Sequence, residues 1–262
     1  MIAAPKSPPL PGTRPEGSRD EREASARVRE MFTHIAPRYD FLNRLLSLSI
    51  DRIWRRRTAA RFAEILRRPD VHVLDVCCGT GDLAFALDRL RPRGSQAGAR
   101  PLPILGTDFV EPMLTRAREK ARAANRPLVF AAADSLHLPF ADASFDLVTT
   151  AFGFRNLANY EDGLREFARV LKRGGELGIL EFAEGSSGPM AAIFRFYFRR
   201  ILPRIGGAIS GNAEAYQYLP GSVAKFPSPP ELAALMERTG FADVRMASWN
   251  FGSVVLHSAR RV

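Results

Sequence analysis

From residue 71 onward the chain alternates short β-rich runs with amphipathic helical segments, a pattern that admits little besides a parallel sheet built from βαβ units. VHVLDV reads as the first strand and DLAFALDRL as the helix after it. PRGSQAGARP reads as a surface insertion, followed by the strand PILGTDF and the helix PMLTRAREKARAA. LVFAAAD is a third strand, SFDLVTTAF a fourth, GLREFARVL the next helix, and GELGILEF, after Gly174 and Gly175, a fifth strand. Residues 186–225 break the alternation with the apolar, aromatic and arginine-rich MAAIFRFYFRRILPRIGGAI ahead of a polar segment. PSPPELAALMERTGF then reads as a helix capped by Ser228 and ending near Gly240. FADVRMASWNFGSVVLHSARR offers two closing strands.

A parallel sheet that ends in a hairpin-like pair is the plan of class I methyltransferases. The expected fold is therefore α/β and Rossmann-like, with a mostly parallel seven-stranded sheet, an N-terminal helical cap and a helical insertion. With 262 residues, one such domain with appendages accounts for the chain. Residues 1–24, with Pro5, Pro8, Pro9, Pro11 and Pro15, read as a disordered tail and not as a secretory signal. Residues 25–70 read as the cap, with Val28, Met31, Phe32 and Ile35 at helical spacing and a break at Pro37. Residues 71–262 form the main domain, with the insertion at about 186–225.

Lys plus Arg number 38 against 28 Asp plus Glu, a formal charge of +10 that calls for an anionic partner or serves solubility alone. Arg52, Arg55, Arg56, Arg57, Arg61, Arg67 and Arg68 carry much of it on the cap, as a solvated or a membrane-facing surface. The only cysteines, Cys77 and Cys78, are adjacent, so they make neither an ordinary disulfide nor a zinc site, and no metal is expected. They read as small packing residues beneath a loop. No apolar run reaches the roughly 18 residues of a spanning helix.

The loop Asp75-Val-Cys-Cys-Gly79-Thr80-Gly81-Asp82 joins the first strand to the first helix of the sheet. Its glycines allow close approach of backbone to a ligand, and the helix start adds aligned N–H groups. Gly79, Gly81 and Ala84 also satisfy the dinucleotide fingerprint, so glycine spacing alone does not choose the ligand. The acids do: Asp75 and Asp82 would repel a pyrophosphate and attract a sulfonium with its ammonium, favouring S-adenosylmethionine over a nicotinamide cofactor. Asp108 ends the second strand, where a carboxylate can accept from both ribose hydroxyls. Asp134, with Ser135, ends the third strand, placed to meet the adenine edge. Any one of these acids alone is as readily a cap or turn former; three at consecutive strand ends converge on one crevice.

MFTHIAPRYDFLNRLLS with DRIWRR, VLDVCCGTGDLA, ADSLHLPFADASFDLVTTAFGFRN, LKRGGELGILEF, LPRIGGAI, YQYLPGSVAKFP and GSVVLH together resemble the ordered motifs of the quinone C-methyltransferases. That family methylates demethylmenaquinol or the corresponding ubiquinol precursor, and the likeness runs from about residue 26 to 258. The resemblance implies contacts of S-adenosylmethionine with Thr80, Asp108, Asp134 and Ser135, beside the loop residues Asp75, Gly79 and Gly81. It also carries departures. Ala151 stands where Ser or Gly is usual, Asp51 where His is common, Ser49 where Gly is common, and Ala183 where Ser or Thr follows Glu-Phe.

Methylating a quinol ring carbon requires a carbon made nucleophilic by an adjacent phenolate, whereas a phenol titrates near ~10. Carbon and methyl must also be held in line at roughly 3 to 3.5 Å. The resemblance makes Tyr39 and Asp40 on the cap, and Arg155 with Asn156 after the fourth strand, the candidates for this help. Arg155 would stabilise the phenolate or orient a water, or else serve as an ion-pair partner or clamp the methionine carboxylate; Tyr39 would serve equally as an aromatic anchor packing the cap, and Asp40 as the N-cap of a helix beginning at Phe41. The substrate would be a prenylated quinol, and Arg195, Arg199, Arg200 and Arg204 in the insertion would make transient contact with an anionic membrane surface. The expected location is the cytoplasm, with docking on the inner face of the membrane; a homodimer is admitted, nucleic acid is not. A non-catalytic lipid- or partner-binding protein of the same fold is the alternative from another class.

Overall fold

The Asp20 carboxylate accepts the Glu23 N–H at 2.8 Å and so starts the first helix, α1 (Glu21–Ile35), which buries Ala24, Val28 and Ile35. A computed structural model of the protein describes residues 12, 13, 15, 17–92, 101–184, 196, 197, 200 and 213–262, without the side chains of residues 213–217 and 219. Pro37 falls in a single 3-10 turn, after which the cap continues as α2 (Tyr39–Leu46), α3 (Ile50–Arg61) and α4 (Ala63–Leu66). The cap helices thus begin at Glu21, ahead of the boundary expected at residue 25.

Of the segment read as a disordered tail, residues 1–11, 14 and 16 lie outside the described residues, and its described end is docked on the domain. Thr13 is buried, its N–H bonding the Leu157 carbonyl at 2.8 Å and its hydroxyl lying 3.0 Å from that of Tyr218. Gly12 packs so closely there that a Cβ would stand 2.1 Å from the Ala158 carbonyl oxygen, so only glycine fits.

The sheet follows with β1 (Val73–Val76), α5 (Asp82–Asp88), β2 (Ile104–Asp108), α6 (Glu111–Ala123), β3 (Leu128–Ala132), β4 (Phe145–Ala151), α7 (Tyr160–Val170) and β5 (Leu171–Phe182). After the break come α8 (Ala213–Lys225), α9 (Pro229–Arg238), β6 (Phe241–Trp249) and β7 (Val254–Arg261). The strand order is β3-β2-β1-β4-β5-β7-β6. Neighbours among β1 to β5 run parallel, and β7 runs antiparallel between β5 and β6. The chain turns from one side of β1 to the other, and a ligand crevice belongs outside the carboxyl ends at such a switch point.

Apolar layers cover both faces. Phe154, Leu164, Phe167, Leu232 and Met236 fill one side, and Phe62, Leu66, Leu87, Leu114 and Phe130 the other. The cap closes over the strand ends through a third cluster of Ile35, Leu42, Val110, Met113 and Val223, and a fourth that joins Trp54 to Phe152 and Leu180. Val223 belongs to α8, so part of the run read as a polar segment is helical and docked on the cap. The Ser228 cap is present: its N–H donates to the Glu231 carboxylate at 2.8 Å. Residues 93–100 of the first insertion, and Arg195, Arg199 and Arg204 of the second, lie outside the described residues. Among the described residues, no helix is long and apolar enough to cross a membrane, and no group of three or more His, Cys, Asp or Glu could hold a metal.

Candidate active site

The loop after β1 is built on left-handed backbone, with φ of 53° at Cys77, 53° at Gly79 and 82° at Gly81. At Gly81 a side chain is barred twice, by that angle and by the Phe130 ring 2.8 Å from where a Cβ would stand. From the end of β4, Gly153 lies so close that its Cβ would meet that of Cys77 at 2.3 Å. The two strand ends are thus packed back to back, and the loop is held open above them.

Carboxylates lock this arrangement. Asp75 is fully buried and accepts the Ala84 N–H at 3.1 Å and the Thr149 hydroxyl at 2.9 Å, tying β1 to the start of α5 and to β4. Burial pushes its carboxyl up to about 7. Asp108 accepts the Gly79 N–H at 2.8 Å and the Val110 N–H at 2.9 Å, and burial raises it too. Asp134 stands exposed at the rim and accepts the Leu136 N–H at 2.9 Å; Ser135 Oγ lies 3.1 Å from Cys77 Sγ. Burial, reinforced by Asp108, pushes both cysteine thiols above their ordinary range, so they are protonated packing groups at neutral pH.

These residues surround a cavity of about 500 Å³. Asp75, Gly79, Thr80, Asp108, Asp134 and Ser135 line it, as do Tyr39 and Asn156; Gly81, Asp40 and Arg155 do not. Tyr39 packs edge-on to Phe32 with ring centres 6.1 Å apart, and burial raises its phenol. Asp40 sits inside the first turn of α2, not at its N-cap. Its carboxylate accepts the Thr80 hydroxyl at 2.5 Å and the Lys120 ammonium at 3.0 Å, and Lys120 also reaches Asp82 at 2.5 Å. This cluster joins cap, loop and α6 in one network.

Arg155 stands behind the cavity wall. Its Nη1 lies 3.0 Å from Glu181 Oε2, both side chains are buried, and its backbone N–H donates to the same carboxylate at 3.0 Å. Asn156 does reach the cavity, and its Oδ1 accepts from the Tyr218 hydroxyl at 3.1 Å, the same hydroxyl that meets Thr13. No sequence motif singles out Glu181, Tyr218 or Lys120, and Arg55 stands out only as one of the cap arginines. Arg55 is buried on α3, ion-paired to Asp51, with its guanidinium carbon 5.4 Å from the centre of the Phe152 ring, and it lines the cavity. The i,i+4 spacing of Asp51 and Arg55 was the one available signal for it.

Comparison with known proteins gives one consistent result. Residues 20–261 match the ubiE/COQ5 methyltransferase family. A demethylmenaquinone methyltransferase of Deinococcus radiodurans is 50% identical over 89% of this chain and 92% of its own. A protein of the same name from Thermus thermophilus is 48% identical over 88% of this chain and 100% of its own. Among solved structures, a SAM-dependent methyltransferase from Aquifex aeolicus superposes with a TM-score of 0.53 at 19% identity, over 78% of this chain and 89% of that one, a likeness of fold.

Proposed function

The chain belongs to the ubiE/COQ5 methyltransferase family, matched over residues 20–261, and from that premise we propose that it methylates a ring carbon of a prenylated demethylmenaquinol. It is an S-adenosylmethionine-dependent quinone C-methyltransferase. The naphthoquinol ring is the finer reading, supported by the names of the relatives from Deinococcus radiodurans and Thermus thermophilus.

The observation that carries the cofactor reading is the charge of the cavity. Four carboxylates, of Glu21, Asp82, Asp108 and Asp134, line it with the buried Asp75 carboxyl behind them, against three guanidiniums, of Arg22, Arg29 and Arg55. Such a lining opposes a pyrophosphate and suits a sulfonium. Asp108 offers a nearly buried carboxylate on the wall that would accept from ribose hydroxyls, and Asp134 and Ser135, which also line the cavity, would meet the adenine edge. Gly79, Thr80 and Gly81 would frame the ligand with backbone, while Asp75 holds the loop from below. S-adenosylmethionine, when bound, supplies a methyl group on a positively charged sulfur.

Carbon methylation also needs the ring oxygen to shed its proton, which a free phenol does only near ~10. Tyr39 and Asn156 are the two of the four candidates that line the cavity. With its phenol raised by burial, Tyr39 stays a neutral donor able to hold the ring oxygen. Because Tyr218 occupies the Asn156 carbonyl, the amide N–H groups are what Asn156 offers to substrate. Asp40 and Arg155 act one layer back as positioning groups: Asp40 holds the Thr80 hydroxyl, and Arg155 sets a buried positive charge beside Asn156.

A prenylated quinol is carried by the bilayer, and the described surface offers a face suited to it. Phe41, Leu45 and Leu48 are exposed on α2 and the turn after it, as is Phe196, among the exposed Arg38, Arg44 and Arg52. Exposed apolar side chains interleaved along the chain with exposed arginines suit transient contact with anionic headgroups on the inner membrane face. The decisive experiment is mass spectrometry of a reaction containing the purified protein, S-adenosylmethionine and a reduced demethylmenaquinone. A singly methylated quinol is expected. Conversion of a benzoquinol precursor in its place would reassign the ring, and conversion of neither would overturn the function.

A further inference from the structure

S-adenosylmethionine carries a carboxylate into a cavity whose lining is already acidic, and a carboxylate leaving water needs a charged partner. We propose that Arg55, on cap helix α3, is the residue that receives the carboxylate of the cofactor's methionine half. This rests on the reading of the cavity as an S-adenosylmethionine site.

Three guanidiniums line the cavity, and two of them are poorly suited. Arg22 and Arg29 project from the exposed side of α1, and Arg29 lies over the Phe109 ring at 5.3 Å from its centre. Water weakens an ion pair made there. Arg55 is 8% exposed. Arg155, the natural choice from the motif, is engaged elsewhere: it does not line the cavity, and it is paired to Glu181, bonded to the Phe152 carbonyl and seated over the Phe182 ring.

Arg55 is also held in the manner a receptor requires. Asp51 engages Nη1, and Ser47 braces Asp51 by donating to its other oxygen at 2.8 Å. A guanidinium carries five N–H donors in one plane, so a single carboxylate on one edge leaves donors for another. No other protein partner engages Arg55 by hydrogen bond among the described residues, yet its remaining nitrogens are not among the buried atoms lacking a partner. They therefore keep accessible surface, and Arg55 is one of the residues that line the cavity. The Phe152 ring beneath the guanidinium fixes its plane, and Phe152 in turn packs on Trp54 and Phe182. Asp82, at the start of α5, lies near enough to hold Arg55 charged. The loop, the cation and its anchor thus meet on one wall of the cavity.

The test is calorimetric binding, without quinol, of S-adenosylmethionine and of decarboxylated S-adenosylmethionine, which keeps every other group. In Arg55→Gln the affinity for S-adenosylmethionine should fall roughly 10- to 100-fold, the worth of a charged hydrogen-bonded pair, while that for the decarboxylated ligand stays unchanged. Arg55→Lys should restore part of the difference. Because Arg55→Gln leaves Asp51 buried without its cation, the double variant with Asp51→Asn is measured as well, and the same ligand-selective loss is expected. Equal losses for both ligands, no loss for either, or a selective loss in Arg29→Gln instead would each overturn the assignment. If the unaltered protein binds neither ligand, the cofactor reading falls and takes the assignment with it.

Discussion

Asp75 should make the protein less stable as pH rises from acid toward neutrality, and Asp75→Asn should remove that dependence. The carboxyl has no solvent exposure and is pushed from an ordinary 3.8 up to about 7. In the unfolded chain it ionises at its ordinary value, so between those two pH values the folded state binds more protons than the unfolded one. Stability from this group is therefore complete below the ordinary value and is lost as pH climbs toward about 7. At 1.36 kcal/mol per unit, the full effect is on the order of 4 kcal/mol, with roughly 2–3 kcal/mol of it falling between pH 5 and 8. Asparagine can keep both contacts, its oxygen accepting the Ala84 N–H and its amide donating to the Thr149 hydroxyl. Urea unfolding of both proteins at several pH values isolates the group, because every other titration cancels in the difference. The gap in favour of Asp75→Asn should widen as pH rises and level off above neutrality. A gap that stays constant with pH would refute the argument, and so would an asparagine variant less stable than the parent at pH 8.

Three further perturbations probe other parts of the site. Gly153→Ala drives a methyl into Cys77 and should cost about 1–3 kcal/mol, read as a lower urea midpoint together with weaker S-adenosylmethionine binding; an unchanged midpoint would mean that the strand ends can part freely. Glu181→Gln strips the buried Arg155 of its counter-charge and should cost about 3–5 kcal/mol by the same assay, with turnover falling as well; a midpoint equal to the parent's would mean that the pair is not buried in solution. Phe41→Ser combined with Leu48→Ser should lower flotation with liposomes rich in anionic lipid while leaving turnover of a short-tailed soluble quinol intact, and undiminished flotation would remove α2 from the membrane face.

Much of this arrangement is legible in the sequence. The five parallel strands are visible because buried parallel strands are short apolar runs, and Asp108 and Asp134 stand at strand ends where a ligand crevice must lie. The placing of β7 between β5 and β6 is not visible, since no local pattern says which edge a returning hairpin will take. Asp75 shows the limit of reading acids by position: it occupies a strand end like the others, but its carboxylate is spent on Ala84 and Thr149. Arg155 is conspicuous in its motif, yet Glu181, which immobilises it, lies on the neighbouring strand and comes within reach only once the sheet has formed. Arg55 hides in a run that reads as solvated charge, and only Asp51 one turn earlier distinguishes it from Arg56 and Arg57, which are exposed. Two departures from the family's usual residues gain a physical account. Asp51 serves as the anion of that pair, and Ser49 tolerates a φ of 60° where glycine would carry no strain.

The roof of the cavity is fastened to residues synthesised long after it. Thr13 meets Tyr218, the Leu46 carbonyl accepts from Tyr197 at 2.8 Å, and the Trp54 indole donates to Asn250 at 2.9 Å. A chain emerging from the ribosome therefore presents its cap helices, with their apolar faces, before any of these anchors exists, and β7 must enter the sheet between two strands already made. The cavity is lined wholly by residues up to Ala158, yet the helices that roof it are tied down by residues 197, 218 and 250, so the lining is made before the roof can be fastened.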